Sequence, residues 1–101
     1  MWVQIISVQV KPGENIDRVV ETLKAGEQPD SGLIREMFLQ DQKDPDRFTI
    51  VAMFETEQQA RAREADPRRA ETSATMRTIL GEILAAPPQF TDCTVVEDWT
   101  P

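Results

Sequence analysis

Residues 41–60 read DQKDPDRFTIVAMFETEQQA, a polar knot followed by an apolar run and then a charged, alanine-containing stretch. Each change has a local cause. In Asp44-Pro45-Asp46 the proline presets φ and the flanking carboxylates can bond nearby backbone amides, which makes a turn. Phe48 to Phe54 is β-branched and aromatic, the composition of a strand. Thr56-Glu57-Gln58-Gln59 then places a hydroxyl at an N-cap, a glutamine three residues later and an acid in the first turn, so a helix is predicted to start there.

Working backward, Leu33–Gln40 is a second apolar segment, opened by Asp30-Ser31-Gly32, and the two segments predict a hairpin over residues 33–54. Further back, Ile16, Val19, Val20 and Leu23 recur at i, i+3, i+4 and i+7, the stripe of an amphipathic helix that Gly26 and Pro29 end. Before it, WVQIISVQV at residues 2–10 reads as a strand covered on both faces and stopped at Lys11-Pro12-Gly13. Working forward, Asp66-Pro67 is a cap followed by proline at the first helical position, predicting a bend or two consecutive helices. Met76, Leu80, Ile83 and Leu84 form the later stripe, Pro87-Pro88 closes it, and a fourth strand is expected over Thr94–Trp99. The order is β-α-β-β-α-β, an α+β chain of the ferredoxin-like sandwich type, read as one domain over residues 1–101.

Composition narrows the function classes. The net charge of −7 argues against non-specific nucleic-acid binding, which needs clustered Lys and Arg. No apolar run has the length of a membrane span. The N-terminal segment lacks a basic leader and a cleavage motif, so the cytoplasm is the expected compartment. One cysteine, Cys93, excludes an intrachain disulfide and is expected to be a buried, inert thiol opening the last strand. The absence of histidine excludes imidazole-ligated zinc, iron or haem. No glycine-rich phosphate loop and no Ser/His/Asp set is present. The aspartates of residues 41–46 read as turn chemistry rather than a calcium loop, and Arg61, Arg63, Arg68 and Arg69 with Glu57, Glu64 and Glu71 as a solvated helix surface.

The helices can cover only one sheet face, yet the strands are apolar on both: Ile50, Ala52 and Phe54 on one side, Val51 and Met53 on the other. A second copy of the chain is the expected cover, giving a homodimer through the sheet faces with Trp99 packing across it. Arg35 and Glu36, adjacent in the second strand, must point to opposite faces. Alternation alone leaves open which enters the covered layer, or whether that end of the strand is simply exposed.

The pieces VQVKPGEN, SGLIREMF, DPDRFTIVAMFETEQQARA, ADPRRAE and ILAAPPQF, spread over residues 2–98, resemble the antibiotic biosynthesis monooxygenase family of dimeric α+β barrels. The resemblance implies two chains forming one barrel. It also implies cofactor-free oxygenation of a small aromatic or quinol-type substrate in a pocket between sheet and helices. Departures from the family pattern bear on this. Active relatives carry Trp where this chain has Phe54, oxygenases carry Asn at the position of Ile50, and the haem-degrading branch uses Asn at Ile6 together with a histidine this chain lacks. A non-catalytic ligand-binding role therefore stays open. For either role, Gln4, Arg35 and Arg77 are the candidates for orienting or stabilising an anion, and Ile6, Ile50, Phe54 and Met76 the expected walls, with no metal or organic cofactor.

Overall fold

The computed structural model describes all residues, Met1–Pro101. The elements are β1 (Trp2–Gln9), α1 (Asp17–Ala25), β2 (Leu33–Gln40), β3 (Arg47–Phe54), α2 (Glu57–Ala65), a single 3₁₀ turn (Pro67–Arg69), α3 (Ala70–Ile83) and β4 (Gln89–Thr94). The four strands form one antiparallel sheet in the order β2-β3-β1-β4. This is the ferredoxin-like α+β arrangement expected from the sequence.

The turn between β2 and β3 forms by the chemistry its residues predict. Asp41 accepts from the amides of Lys43 at 2.7 Å and Asp44 at 3.0 Å, and Asp44 accepts from the amide of Asp46 at 3.2 Å. Thr56 caps α2, its hydroxyl accepting from the Gln59 amide at 3.1 Å. The reciprocal half of a capping box is missing. Gln59 lies over Gly32, and its buried Oε1 has no partner. Asp66 caps the 3₁₀ turn by accepting from the Arg68 amide at 2.9 Å, with Pro67 at the first position.

The core lies between the helices and one sheet face. On β3, Phe48, Ile50, Ala52 and Phe54 are buried, while Thr49, Val51 and Met53 on the alternate face are only partly so. Val8, Val10, Phe48 and Ile50 from the sheet side pack with Ile16 and Val19 near α1 and with Ile79 and Ile83 of α3. A smaller cluster joins Trp2, Ala52 and Phe54 to Ala60 of α2. Ile79, absent from the predicted stripe, is 3% exposed and belongs to the larger cluster.

Two boundaries differ from expectation. The fourth strand is Gln89–Thr94, not Thr94–Trp99; it pairs with β1 from Trp2↔Thr94 to Ser7↔Gln89, and Val95 adds only one further bond, to the Met1 carbonyl at 2.9 Å. Pairing with β1 selects the segment, and strand propensity, which favours Val95 and Val96, is overridden. Cys93 accordingly sits near the end of the strand, opposite Val3, and is half-buried rather than enclosed. The end of α3 is set by β1, not by the prolines. Lys11 donates its amide to the Ile83 carbonyl at 2.8 Å, Ala85 donates to Gln9 at 2.8 Å, and Leu84 bridges Val10.

Register decides which side chains meet the helices. Trp2, Gln4, Ile6 and Val8 stand opposite Phe54, Ala52, Ile50 and Phe48, all on the helix side. On β2 the pairing slips by one residue between Leu33 and Arg35: Leu33 pairs with Phe54, but Arg35 pairs with Met53 and Glu36 with Ala52. Ile34 is the extra residue of a bulge, which reverses the alternation downstream of it. Glu36 and Phe38 therefore face the helices, while Arg35, Met37 and Leu39 share the other face with Val51 and Met53.

Candidate functional site

An apolar cavity of about 290 Å³ opens between the helix-facing side of the sheet and the α2–α3 segment. Its floor is Gln4 and Ile6 of β1 with Ile50, Ala52 and Phe54 of β3, and its roof is Ser73, Met76, Arg77 and Leu80 of α3. Trp2 closes one side, its ring 6.0 Å from that of Phe54 and inclined at 57°. Phe90 of β4, 59% exposed, stands at the open side.

Six of the seven sequence-derived candidates line this cavity: Gln4, Ile6, Ile50, Phe54, Met76 and Arg77. The seventh, Arg35, does not. The bulge puts it opposite Met53 on the outer face, and Glu36 enters the cavity instead. Gln4 is partly committed, its amide Nε2 donating to Asp92 at 3.2 Å, and Asp92 in turn pairs with Arg61 at 2.9 Å. Arg61 also lies over the Trp2 ring, 5.3 Å from its centre. Arg77 is an exposed side chain at the rim.

Three charged groups that sequence reasoning missed or misplaced stand around the cavity. Arg63, expected on a solvated surface, has a side chain only 9% exposed. It lies 5.8 Å from the Phe54 ring centre and donates to Glu27 through Nη2 at 2.6 Å and Nε at 3.3 Å. The signal for its inward position was Ala60, the small residue by which α2 approaches the sheet, since i+3 falls on the same helix face. Arg69 is also buried, and its Nε has no hydrogen-bond partner. The 3₁₀ turn begun by Asp66-Pro67 brings Arg69 to the cavity while leaving Arg68 outside, paired with Asp66 at 2.7 Å.

Glu36 is the third. Burial pushes its carboxyl above the usual 4.5; Arg63 opposes this, Glu27 reinforces it and Arg69 opposes it. For Glu27, burial also raises, but hydrogen bonds from Arg63 and Ser31 outweigh it and hold the carboxyl below its usual value. Arg69 is shifted down, first by burial and then by Arg63, against pulls from Glu27, Glu36 and Asp66. A guanidinium so shifted is still protonated at neutral pH. The walls are thus mostly apolar and aromatic, with the Glu36 carboxylate, the buried Arg63 and Arg69, the more exposed Glu64 and Arg77, the Ser73 hydroxyl and the Gln4 amide as polar points. Such a lining suits a planar, largely apolar molecule held by a few polar contacts. No group of three His, Cys, Asp or Glu side chains is arranged to hold a metal ion, and no helix is long and apolar enough to cross a membrane.

Solved structures share this architecture. A candidate antibiotic biosynthesis monooxygenase from Chloroflexus aurantiacus superposes with a TM-score of 0.72 at 21% identity, over 98% of this chain and 96% of that one. A second, from Nitrosomonas europaea, gives 0.73 at 21% identity over 96% and 100%. SnoaB, a cofactor-independent oxygenase from Streptomyces nogalater solved as a single-residue variant, gives 0.71 at 12% identity over 96% and 94%. The chain has the fold of the antibiotic biosynthesis monooxygenase-like proteins. No protein-family profile and no curated protein matches it.

Proposed function

We propose that the protein acts as a cofactor-independent monooxygenase on a small aromatic or quinol-type substrate bound between sheet and helices. The observation that carries the reading is the apolar, aromatic-walled cavity of about 290 Å³, placed at the sheet–helix junction of a fold that SnoaB, a cofactor-independent oxygenase, also has. In this chemistry the ionised, electron-rich substrate is itself the reductant of oxygen. For an anthrone, the ring methylene becomes a carbonyl with one oxygen atom of O2, and the second atom leaves as water with the two methylene hydrogens. The protein's part is to orient the substrate and keep bulk water away. Gln4 and the rim Arg77 are placed to orient it; Ile6, Ile50, Phe54 and Met76 shape it. Oxygen uptake with a panel of anthrones and hydroxynaphthoquinones is the direct test, and uptake indistinguishable from the protein-free rate across the panel would sink the reading.

A second reading, a ligand-binding protein without turnover, is favoured by one observation. Ile6 and Ile50, directly opposed in the sheet, put aliphatic side chains where the family resemblance places polar ones. A panel member that raises the melting temperature yet is recovered unchanged under air would select it.

Either reading is framed on a dimer built through the outer sheet face. Met37, Leu39, Val51 and Met53 share that face, and Leu39 is 46% exposed. Covering it with the same face of a second chain closes by two-fold symmetry. Val96, 95% exposed, and Trp99, 74% exposed, follow β4 with little to pack on in their own chain and would reach the partner.

A further inference from the structure

We propose that the cavity binds a hydroxyarene as its oxyanion, with Arg69 holding the oxygen and Glu36 taking the hydroxyl proton. The inference rests on the reading of the cavity as the ligand site, but not on any oxygen chemistry there. It starts from two groups that are each left without a partner. Arg69 is 91% buried by its 9% exposure, lines the cavity, and leaves Nε unbonded. Glu36 lines the same cavity from β2. Neither forms an ion pair with the other or with any third side chain; the pairs that do form are Arg18–Glu82, Arg61 with Glu57, Glu64 and Asp92, Arg63–Glu27 and Arg68–Asp66.

A buried guanidinium that has no ion pair within contact distance and an unbonded Nε is expensive to keep. Arg63 cannot serve as the anion site, because Glu27 already occupies it through two hydrogen bonds. Arg77 stands exposed at the rim, where water weakens its pull. Arg69 is the cation that remains. Its planar fork and weak hydration suit an aryl oxyanion in a dry pocket.

The charges facing Glu36 support its role. Arg63 and Arg69 stand on the helix side, Glu27 follows α1, and Glu64 and Arg77 complete the lining. Arg63, Glu27, Arg69 and Glu36 together are neutral while Glu36 is ionised. When a hydroxyarene enters, its O–H bond breaks with the electron pair left on oxygen, and the proton bonds to a Glu36 carboxylate oxygen. The cluster then carries one positive charge against the ligand's one negative charge. The raised proton affinity of Glu36 narrows the gap between it and a phenol, so the transfer costs less than it would to an ordinary carboxylate.

The probe is 4-nitrophenol, whose phenolate alone is yellow, titrated anaerobically at a pH below its own pKa. Wild-type protein should bind it yellow, with little proton release to the buffer when heats are compared across buffers of different ionisation enthalpy. Glu36→Gln should still bind it yellow but release close to one proton per ligand, because the internal acceptor is gone. Arg69→Met should lose the colour and weaken binding about tenfold or more, whereas Arg69→Lys, which keeps the charge, should keep part of the colour. If Arg69→Met does not fold, the Lys variant and Glu36→Gln still decide the matter. Colourless binding by wild type, no binding, or the same colour with Arg69→Met would overturn the proposal. Anthrone turnover undiminished by Arg69→Met would do so as well, while leaving the monooxygenase reading standing. Ionised binding with no oxygen uptake by any panel compound would do the reverse.

Discussion

Arg63 grips Glu27 with two parallel hydrogen bonds, Nη2 to Oε2 at 2.6 Å and Nε to Oε1 at 3.3 Å, and so ties the segment after α1 to α2 across the mouth of β2. With side-chain exposures of 9% and 29%, this pair is the least solvated ion pair in the molecule. Arg63→Met leaves the Glu27 carboxylate half-buried and alone, and should cost about 2–3 kcal/mol of unfolding free energy in urea. Adding Glu27→Gln should restore much of that loss. Additive losses in the double variant would show that the two side chains do not act as a pair.

Glu27 and Glu36 predict opposite acid responses. Glu27, with its folded value depressed, contributes stability that is full above its ordinary 4.5 and is lost as pH falls through the folded value. Glu36, with its folded value raised, carries a penalty that is absent below its ordinary 4.5 and complete only above the folded value. Glu36→Gln should therefore raise the melting temperature at neutral pH, and the gain should vanish in strong acid. Glu27→Gln should lower it at neutral pH, with that loss vanishing on the same side. A gain from Glu36→Gln that persists in strong acid would show that charge is not its cause.

Gly26 is required for contact rather than for φ. Its φ of −91° suits any residue, but an added Cβ would fall on the Thr72 hydroxyl of α3, 2.7 Å from Cγ2 and 2.9 Å from Cβ. Gly26→Ala should cost about 1–3 kcal/mol by wedging the end of α1 off α3. Thr72→Ala in the same chain removes the hydroxyl and methyl and should return part of the loss. Equal melting temperatures for wild type and Gly26→Ala would mean the helices slide apart freely.

Met53→Asp places a carboxylate in the middle of the outer sheet face, opposite Val3 and Arg35. If that face packs on a second chain, sedimentation should show monomer, or the protein should be recovered unfolded or aggregated. The exposed Lys24→Asp is a control that should leave the wild-type species unchanged. Wild type sedimenting as a folded monomer at micromolar concentration would remove the dimer from the proposal.

What could be read from sequence was whatever is encoded within a few residues. Thr56 and Asp66 cap their helical segments because a short side chain reaches its own backbone amides. The hairpin follows from Asp41 and Asp44 for the same reason. The fourth strand was misplaced because Gln89–Thr94 owes its structure to β1, not to its own composition. The expectation of Ile6, Ile50 and Phe54 as walls comes from the positions at which the family resemblance places functional residues, and helical period by itself assigns Met76 only to an apolar stripe. A charged residue on a polar helix is usually solvated, so the pattern alone places Arg63 and Arg69 outside. Only the approach of α2 to the sheet through Ala60, and the tight turn after Asp66, bring them inside.

The bulge at Ile34 has a consequence for how such a site can change. Residues 35 and 36 have opposite sign, so one extra residue upstream decides whether the wall of the cavity presents a carboxylate or a guanidinium. Removing Ile34 while keeping Leu33 against Phe54 would turn Arg35, Met37 and Leu39 inward and send Glu36 and Phe38 to the opposite face. One deleted codon would exchange the polarity of the cavity wall and the chemistry of the outer sheet face together, a double alteration that no point substitution makes. Under the proposed reading of the two faces, ligand charge and self-association form a linked pair of traits in this strand, and an insertion or deletion here shifts both in the same step.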